Sequence, residues 1–499
     1  MASAAAIVAA MALGVTWLYG QHVAVGVGDE GVYLADALLW AREGKRPYVD
    51  VFLAHPPLRV ALSALAIVLG MPVVAGKWLA IAATLGSGLL AAACGARLGG
   101  PVAAVIAAAC WYGSPLVLET GGVLIGPDLT TLLMLAALLA ALRDAFRGAG
   151  LLATAAALAA YYGLLVVPPL AVLAWQGRRR GAVTSLALGL LALPLALLAL
   201  QLATDGAFFE QTVLFQLDKL QSPPEAAAAA AAAPAAGAAA PAWPWPRILG
   251  AMQGEATLLA LALTALPALR RPSDASAAVA AGAWFSLVPV LAFRSFAPYY
   301  LVGPLGLLAV AAGAGVATIA AGASNPGPGV QRRRVAVLAA AALLWALGAV
   351  PASGEALARR AMQPVVDAEL ELVAAKIRAR PAASKRLWGD TAVTPVLSLR
   401  SGLAIAADMV DTNDKRFAAG SLASDDVLAM LQRERPGILL IPQHGPFRVN
   451  AIRAWVERHY EAVFWHRGLS IGYDVVYLLP STAPAGPQPF DRSGSNAPP

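Results

Sequence analysis

The amino-acid sequence predicts a mainly α-helical protein, a polytopic membrane bundle of about eleven spans carrying a small α/β domain at its C-terminus. Three observations predict it. Of the 499 residues 59% are apolar and 13% charged, and the mean hydropathy is +0.67; a soluble domain carries about 45–50% apolar and about 25% charged residues. Nearly all long apolar runs fall before Pro351, whereas from Ser353 to Tyr477 charges are interleaved as in an ordinary domain. The basic residues between the apolar runs are also segregated from the acidic ones. The same composition excludes disorder, collagen and a disulfide scaffold. Cys94 and Cys110 sit in apolar runs without metal-ligand spacing and read as buried thiols.

A helix that crosses a bilayer needs about 20 mainly apolar residues. Candidate spans are 3–20, 77–94, 102–117, 128–142, 149–162, 163–175, 182–203, 247–267, 276–293, 299–320 and 335–351, with the two between 149 and 175 short enough for a tight hairpin. The first span lacks a basic n-region and a clear cleavage site before Asp29, so it reads as a retained anchor. With the N-terminus in the cytoplasm, Arg97, Arg143, Arg147, Arg178, Arg179, Arg180, Arg270, Arg271, Arg332, Arg333 and Arg334 share the cytoplasmic face, opposed only by Asp144 and Asp274. The other face collects Asp29, Glu30, Asp36, Glu43, Asp50, Glu119, Asp128, Asp205, Glu210, Asp218, Glu225 and Glu255. The net charge of +7 is therefore a topology signal rather than a nucleic-acid footprint. It places the C-terminal domain outside.

Three external loops follow from this topology. Loop 21–76 contains an amphipathic helix over 30–42, with Tyr33, Ala37 and Trp40 at helical spacing, and an apolar run over 58–70 that is too short to span and is expected at the interface. Loop 118–127 is brief. Loop 204–246 opens with Phe208, Phe209 and Phe215 beside Glu210 and Lys219, then runs into a low-complexity stretch over 222–246 that is mostly alanine. Gly313-Ala314-Gly315 lies inside a span and forms no phosphate loop.

In the C-terminal region the pattern predicts a helix over 355–380, short buried strands at 386–389 and 437–442, and a helix from Ser424 to Glu434 with Asp425 and Asp426 in its first turn. A further helix over 449–460 precedes strands at 462–466 and 473–479. No glycine-rich phosphate loop follows a strand. His444 and His466 have no partners at metal spacing. The expected division is a membrane domain over 1–351, an external α/β domain over 352–480 and a disordered tail over 481–499.

The residues that can carry chemistry begin at Gly28-Asp29-Glu30. Tyr33, Gly44-Lys45-Arg46-Pro47-Tyr48-Val49-Asp50 and His55-Pro56-Pro57-Leu58 follow. Two carboxylates at the membrane surface are costly unless they face a wet, protein-lined cavity; Asp29 and Glu30 equally suit the start of a helix. Asp128 after Pro127 fits a helix cap as well as a site. Arg294 fits a snorkelling side chain, and Tyr299 and Tyr300 fit an interfacial belt.

As an ordered set these motifs resemble the first external loop of the GT-C membrane glycosyltransferases. They are most similar to the branch holding protein O-mannosyltransferases and the aminoarabinose transferases of lipid A. The local match covers about thirty residues, and the layout agrees in Pro127-Asp128 after the third span, the paired short helices and the 294–300 segment before a span. An external C-terminal α/β domain also occurs in that superfamily.

The resemblance implies transfer of a sugar from a polyprenyl-phosphate donor to an acceptor hydroxyl or amine outside the cytoplasm; because one carboxylate then suffices to take the acceptor's proton as it attacks, inversion at the anomeric carbon is expected. Asp29 would be the general base, Asp128 a second essential carboxylate, and Glu30 a supporting one; His55, Arg59, Tyr33, Arg294 and Tyr300 would bind substrate. This sequence departs from the pattern at His55 and at Tyr161-Tyr162, where relatives can carry lysines.

The residue types suit that chemistry independently. A polyprenyl phosphate leaves as a stabilised anion, so it needs cationic support, with Lys45, Arg46, Arg59, His55 and Arg294 as candidates, more than the second proton donor of a glycosidase. The expected partners are the lipid-linked donor, an acceptor that is a lipid, glycan or protein, and the bilayer. No cofactor is expected, since a divalent metal bridging Asp29 and Asp128 has no dedicated cage. The expected location is the bacterial plasma membrane, with the C-terminal domain periplasmic. Two alternatives stay open: a transporter or flippase of a lipid-linked intermediate, which would favour midplane charges and repeated halves, and a non-catalytic lipid-binding relative.

Overall fold

The computed structural model describes residues 2–21, 23–124, 127–177, 181–221, 245–270, 274–292, 297–321, 348–379, 385–441, 450–467 and 474–480. They are mainly helical and divide into two compact units. One comprises Met1–Ala24, His55–Thr212 and Trp243–Pro364, the other Val25–Ala54, Val213–Ala242 and Val365–Pro499.

Among the described residues of the first unit, four helices are long and apolar enough to cross a membrane: Ala2–Gly20, Ala75–Tyr112, Ala182–Ala203 and Pro298–Ala321. A fifth span results if the pair Trp245–Gly254 and Ala256–Leu269, bent by 73°, is counted as one. Shorter apolar helices are Leu58–Val68, Asp128–Ala141, Phe146–Ala159, Tyr161–Gln176 and Ala275–Leu291. The span expected at 335–351 lies largely outside the described residues.

The 38-residue Ala75–Tyr112 segment is a helical hairpin. Gly99 and Gly100 leave the helical conformation, Gly100 at φ +71°, and Pro101 starts the return arm. The arms lock where the Trp111 indole donates to the Thr84 carbonyl at 2.9 Å and the Tyr112 hydroxyl to that of Leu85 at 2.7 Å. The runs at 77–94 and 102–117 are its two arms. Gly313 packs on the return arm so closely that a Cβ there would lie 2.4 Å from the Ala103 carbonyl oxygen, the small-residue contact by which apolar helices approach in lipid. The Gly313-Ala314-Gly315 sequence is thus a packing device.

The second unit is built on a five-stranded sheet of order β2-β1-β3-β5-β4, with β1 Arg386–Gly389, β2 Ala404–Ile405, β3 Ile438–Ile441, β4 Tyr460–Arg467 and β5 Asp474–Pro480. Strands β2, β1 and β3 are parallel; β5 runs antiparallel between β3 and β4. Side chains alternate across the pleat. Leu387, Ile405, Ile438 and Leu440 face a layer formed by Gln363–Arg378 and Thr394–Ser401, joined by Val32 and Ala35 of the helix Asp29–Glu43. Trp388 and Leu439 face Ser424–Glu434 and Asn450–His459 on the other side.

Two departures from the sequence pattern have physical causes. The helix expected over 355–380 is two helices, Val350–Ala361 and Gln363–Arg378, because Pro364 lacks the N–H that a continuous helix would use and its ring crowds the preceding turn. The helix Thr394–Ser401 and the two-residue strand β2 carry too short a pattern to read.

Candidate functional site

The motif residues of the second unit assemble around the helix Asp29–Glu43. Gly28 precedes it at φ +93°, a left-handed conformation suited to glycine, and its N–H donates to the Ala392 carbonyl at 2.7 Å. Gly31 lies against the backbone of Val396, where a Cβ would come within 3.2 Å of the amide nitrogen.

Asp29 and Glu30 occupy the first turn, where the helix dipole favours negative charge. Their side chains part company. Glu30 is 1% exposed and its Oε2 accepts the Gly26 N–H at 2.8 Å, clamping the incoming chain to the helix. Asp29 is exposed, and Tyr33 is buried.

The far end is built as firmly. Gly44 terminates the helix at φ +68°, donating to the Leu39 carbonyl. In the next turn Asp50 accepts the Arg46 N–H at 2.7 Å, and buried Tyr48, at φ +70°, donates its N–H to Val51 at 2.8 Å. The hydrogen bond from the Arg46 backbone holds Asp50 below the usual carboxylate range. Much of the Gly-x-x-Pro-Tyr-x-Asp motif therefore frames the helix that carries Asp29.

Asp36, two turns beyond Asp29, lies inside this unit. Neither of its oxygens has a hydrogen-bond partner among the described residues. Burial pushes its carboxyl well above the usual range, Asp411 adds to the rise, and Arg416 opposes it. Arg416 stacks 3.7 Å over the Phe52 ring and donates to the carbonyls of Asp411 and Ser421 at 2.5 and 3.2 Å. Burial lowers the pKa of its guanidinium, against the pull of Asp411 and Asp36.

Because folding raises the Asp36 pKa, the folded chain keeps a proton that the unfolded chain releases above about pH 4. Stability contributed by this group falls as pH rises through that window. Asp36→Asn is therefore expected to raise the melting temperature at neutral pH, with a gain that vanishes near the ordinary carboxylate pKa. Differential scanning fluorimetry across pH checks this; a lowered midpoint at neutral pH contradicts it.

In the first unit, His55 is half-buried ahead of the helix Leu58–Val68. Arg59, 3% exposed, donates from Nη2 to the Ala159 carbonyl at 3.1 Å, satisfying an oxygen at the end of Phe146–Ala159 that has no partner within the helix. The tight turn Tyr161–Val166 follows, with the Tyr161 hydroxyl 2.7 Å from that of Thr212. The Tyr162 hydroxyl is buried and lies within electrostatic reach of Arg59, Asp128 and Tyr300.

Asp128, 4% exposed in the first turn of its helix, is also within reach of Tyr19. Tyr300 packs edge-on to Tyr299, ring centroids 4.7 Å apart. Asp128, Arg59 and Tyr300 thus all lie within electrostatic reach of Tyr162, whereas Asp29, Glu30 and Tyr33 are carried on one helix of the other unit. Arg294 lies outside the described residues. Tyr19 and Tyr162 were not among the residues that the sequence singled out as binding; each stands at the end of an apolar run, where an aromatic hydroxyl reads as a belt residue. Among the described residues, no group of three His, Cys, Asp or Glu is placed to hold a metal ion.

The chain, made of an apolar helical unit and a three-layer α/β unit that includes the first loop, shares its overall fold with solved membrane-protein structures. The chain is similar to ArnT from Cupriavidus metallidurans in the apo state, with a TM-score of 0.59 and 16% identity over 97% of this chain and 99% of that one. It is likewise similar to the same protein bound to undecaprenyl phosphate, at a TM-score of 0.57 and 17% identity over the same shares of both chains. The oligosaccharyltransferase AglB from Archaeoglobus fulgidus, in complex with an inhibitory peptide and a dolichol-phosphate, matches at a TM-score of 0.51 and 13% identity over 96% of this chain and 76% of that one. No protein-family model and no curated protein matches the sequence.

Proposed function

We propose that this chain transfers a sugar from a polyprenyl-phosphate donor to an acceptor on the non-cytoplasmic face of a bacterial plasma membrane. The observation that carries the reading is the end-to-end likeness of fold to ArnT, a protein solved with undecaprenyl phosphate, joined to the first-loop motif and its exposed Asp29. AglB, solved with a dolichol-phosphate, supports the same donor class.

In the proposed reaction the bond between the anomeric carbon and the phosphate oxygen breaks, and the acceptor oxygen or nitrogen bonds to that carbon from the opposite face. The configuration inverts. The polyprenyl phosphate departs with the electron pair as an anion, and the acceptor proton passes to the Asp29 carboxylate as general base. Asp128 serves as a second essential carboxylate. Arg59 supplies positive charge for the departing phosphate, with Tyr300 beside it, and Glu30 holds the chain that presents Asp29. The N-terminus is placed in the cytoplasm and residues 352–480 outside.

The test is reconstitution of the full chain in nanodiscs with undecaprenyl-phosphate-linked mannose or aminoarabinose and labelled membrane lipids as acceptors. Transfer appears as free undecaprenyl phosphate together with a glycosylated acceptor of inverted configuration. Lipid that crosses vesicle membranes with its glycosyl bond intact, and no transfer, overturns the proposal in favour of a flippase.

A further inference from the structure

The short helix Pro115–Thr120 leads the chain towards Asp128 and is tied by side chains from several elements of the first unit. At its start Ser114 donates from Oγ to Glu255 Oε1 at 2.7 Å, and the Leu116 N–H donates to the same oxygen at 2.9 Å. Glu255 is buried at the elbow of the pair Trp245–Gly254 and Ala256–Leu269. At its end the Tyr19 hydroxyl donates to the Val117 carbonyl at 2.7 Å. Arg360, from Val350–Ala361, donates from Nε to Leu118 O at 2.6 Å and from Nη2 to Gly121 O. Its guanidinium lies 3.9 Å over the Tyr19 ring.

A helix of six residues is not stable by itself, and its final carbonyls need outside donors. Here they are met by a planar cation and a phenol stacked on one another. That same phenol stands within electrostatic reach of Asp128, so the clasp and the carboxylate share a neighbour. The chain between Gly121 and Leu124 is held in turn, Gly122 donating to Thr84 Oγ1 at 3.4 Å and Val123 to the Thr120 carbonyl at 3.1 Å.

We propose that Arg360, stacked on Tyr19, is a positioning residue for the transfer reaction: it locks the end of the Pro115–Thr120 helix and thereby fixes the segment that delivers Asp128. The proposal rests on the reading that Asp128 takes part in transfer. It separates Arg360 from its neighbour Arg359, whose contact is an exposed ion pair with Glu119 at 3.0 Å and which is expected to matter little. Lysine cannot reproduce two forked donors and a stacked plane, so Arg360→Lys provides a graded variant and Arg360→Gln a full one.

The experiment uses the full chain in nanodiscs and three readouts. These are hydrogen–deuterium exchange of the peptide spanning 113–124, turnover on undecaprenyl-phosphate-linked mannose or aminoarabinose, and KM for that donor. Arg360→Gln is expected to speed exchange about tenfold or more and lower kcat about tenfold, with KM changed less than about twofold. Arg360→Lys falls between, and Arg359→Gln matches the wild type in all three readouts. Faster exchange with unchanged kcat overturns the proposal, as does a loss of kcat without faster exchange or an equal loss in Arg359→Gln. Full activity in a parallel Asp128→Asn variant removes the reading beneath it, an outcome recognisable because the exchange difference at Arg360 persists.

Discussion

Asp29→Asn is expected to slow sugar transfer about 10²–10⁴-fold while undecaprenyl-phosphate affinity and melting temperature stay close to those of the wild type. Asparagine keeps the size and hydrogen-bonding reach of the side chain but cannot take up a proton, so the loss belongs in kcat rather than in KM. Asp29 is exposed, and several contacts that hold the motif are made by neighbours. Glu30 closes on Gly26, Gly28 anchors to Ala392 and Asp50 closes its turn on Arg46. Asp128→Asn is expected to lose activity on a similar scale. There the carboxylate is buried, so the melting temperature must be measured with the rate. Wild-type turnover in either variant removes that residue from the reaction.

Arg59→Gln is expected to weaken undecaprenyl-phosphate binding about 10–100-fold, the loss of one charged donor in a water-poor site. A smaller structural penalty of about 1–3 kcal/mol accompanies it if the Ala159 carbonyl is left unmet. The two effects separate by measurement. Titration of nanodisc-embedded protein with undecaprenyl phosphate reads the first, and thermal melting reads the second. Arg59→Lys should recover much of the binding, since charge is kept, and less of the stability, since the reach to Ala159 differs. Unaltered affinity with a lowered melting temperature would reduce Arg59 to a helix cap.

The parts of this molecule legible in its sequence are those that local pattern decides. Apolar runs locate the helices at 2–20, 127–141 and 146–159, and the helix 29–43 follows from spacing around Tyr33 and Trp40. Charge alternation with caps places Ser424–Glu434, and short β-rich runs place β1 and β3. The remainder depends on partners distant along the chain. Nothing local announces that Val32 and Ala35 pack with Val396 and Ile405, or that Arg360 closes over Tyr19.

Asp36 shows the limit most clearly. By sequence it is one more acid on the amphipathic helix of the first loop, yet in the fold it is buried within electrostatic reach of Asp411 and Arg416. Glu255 likewise reads as surface charge, although it faces Ser114 and the Leu116 amide in an apolar interior. The site shows the same split. Its acids stand in readable motifs, while the tyrosines at 19 and 162 acquire meaning only from what surrounds them.

The joining of the first loop to the sheet has a consequence for how the protein is made. The Val25 carbonyl is held by Arg400 at 3.0 Å, 375 positions further along, and Gly28 by Ala392. A ribosome that has finished the loop must add most of the polypeptide before that loop has anything to fold against, and closing so long a stretch is slow. Nascent or prematurely terminated chains are therefore expected to lack these two anchors of the segment before Asp29, which form only once residues 392 and 400 have been made. On the proposed role of Asp29, abundance in the membrane and catalytic competence are expected to be separate quantities, the second depending on the last hundred or so residues to emerge.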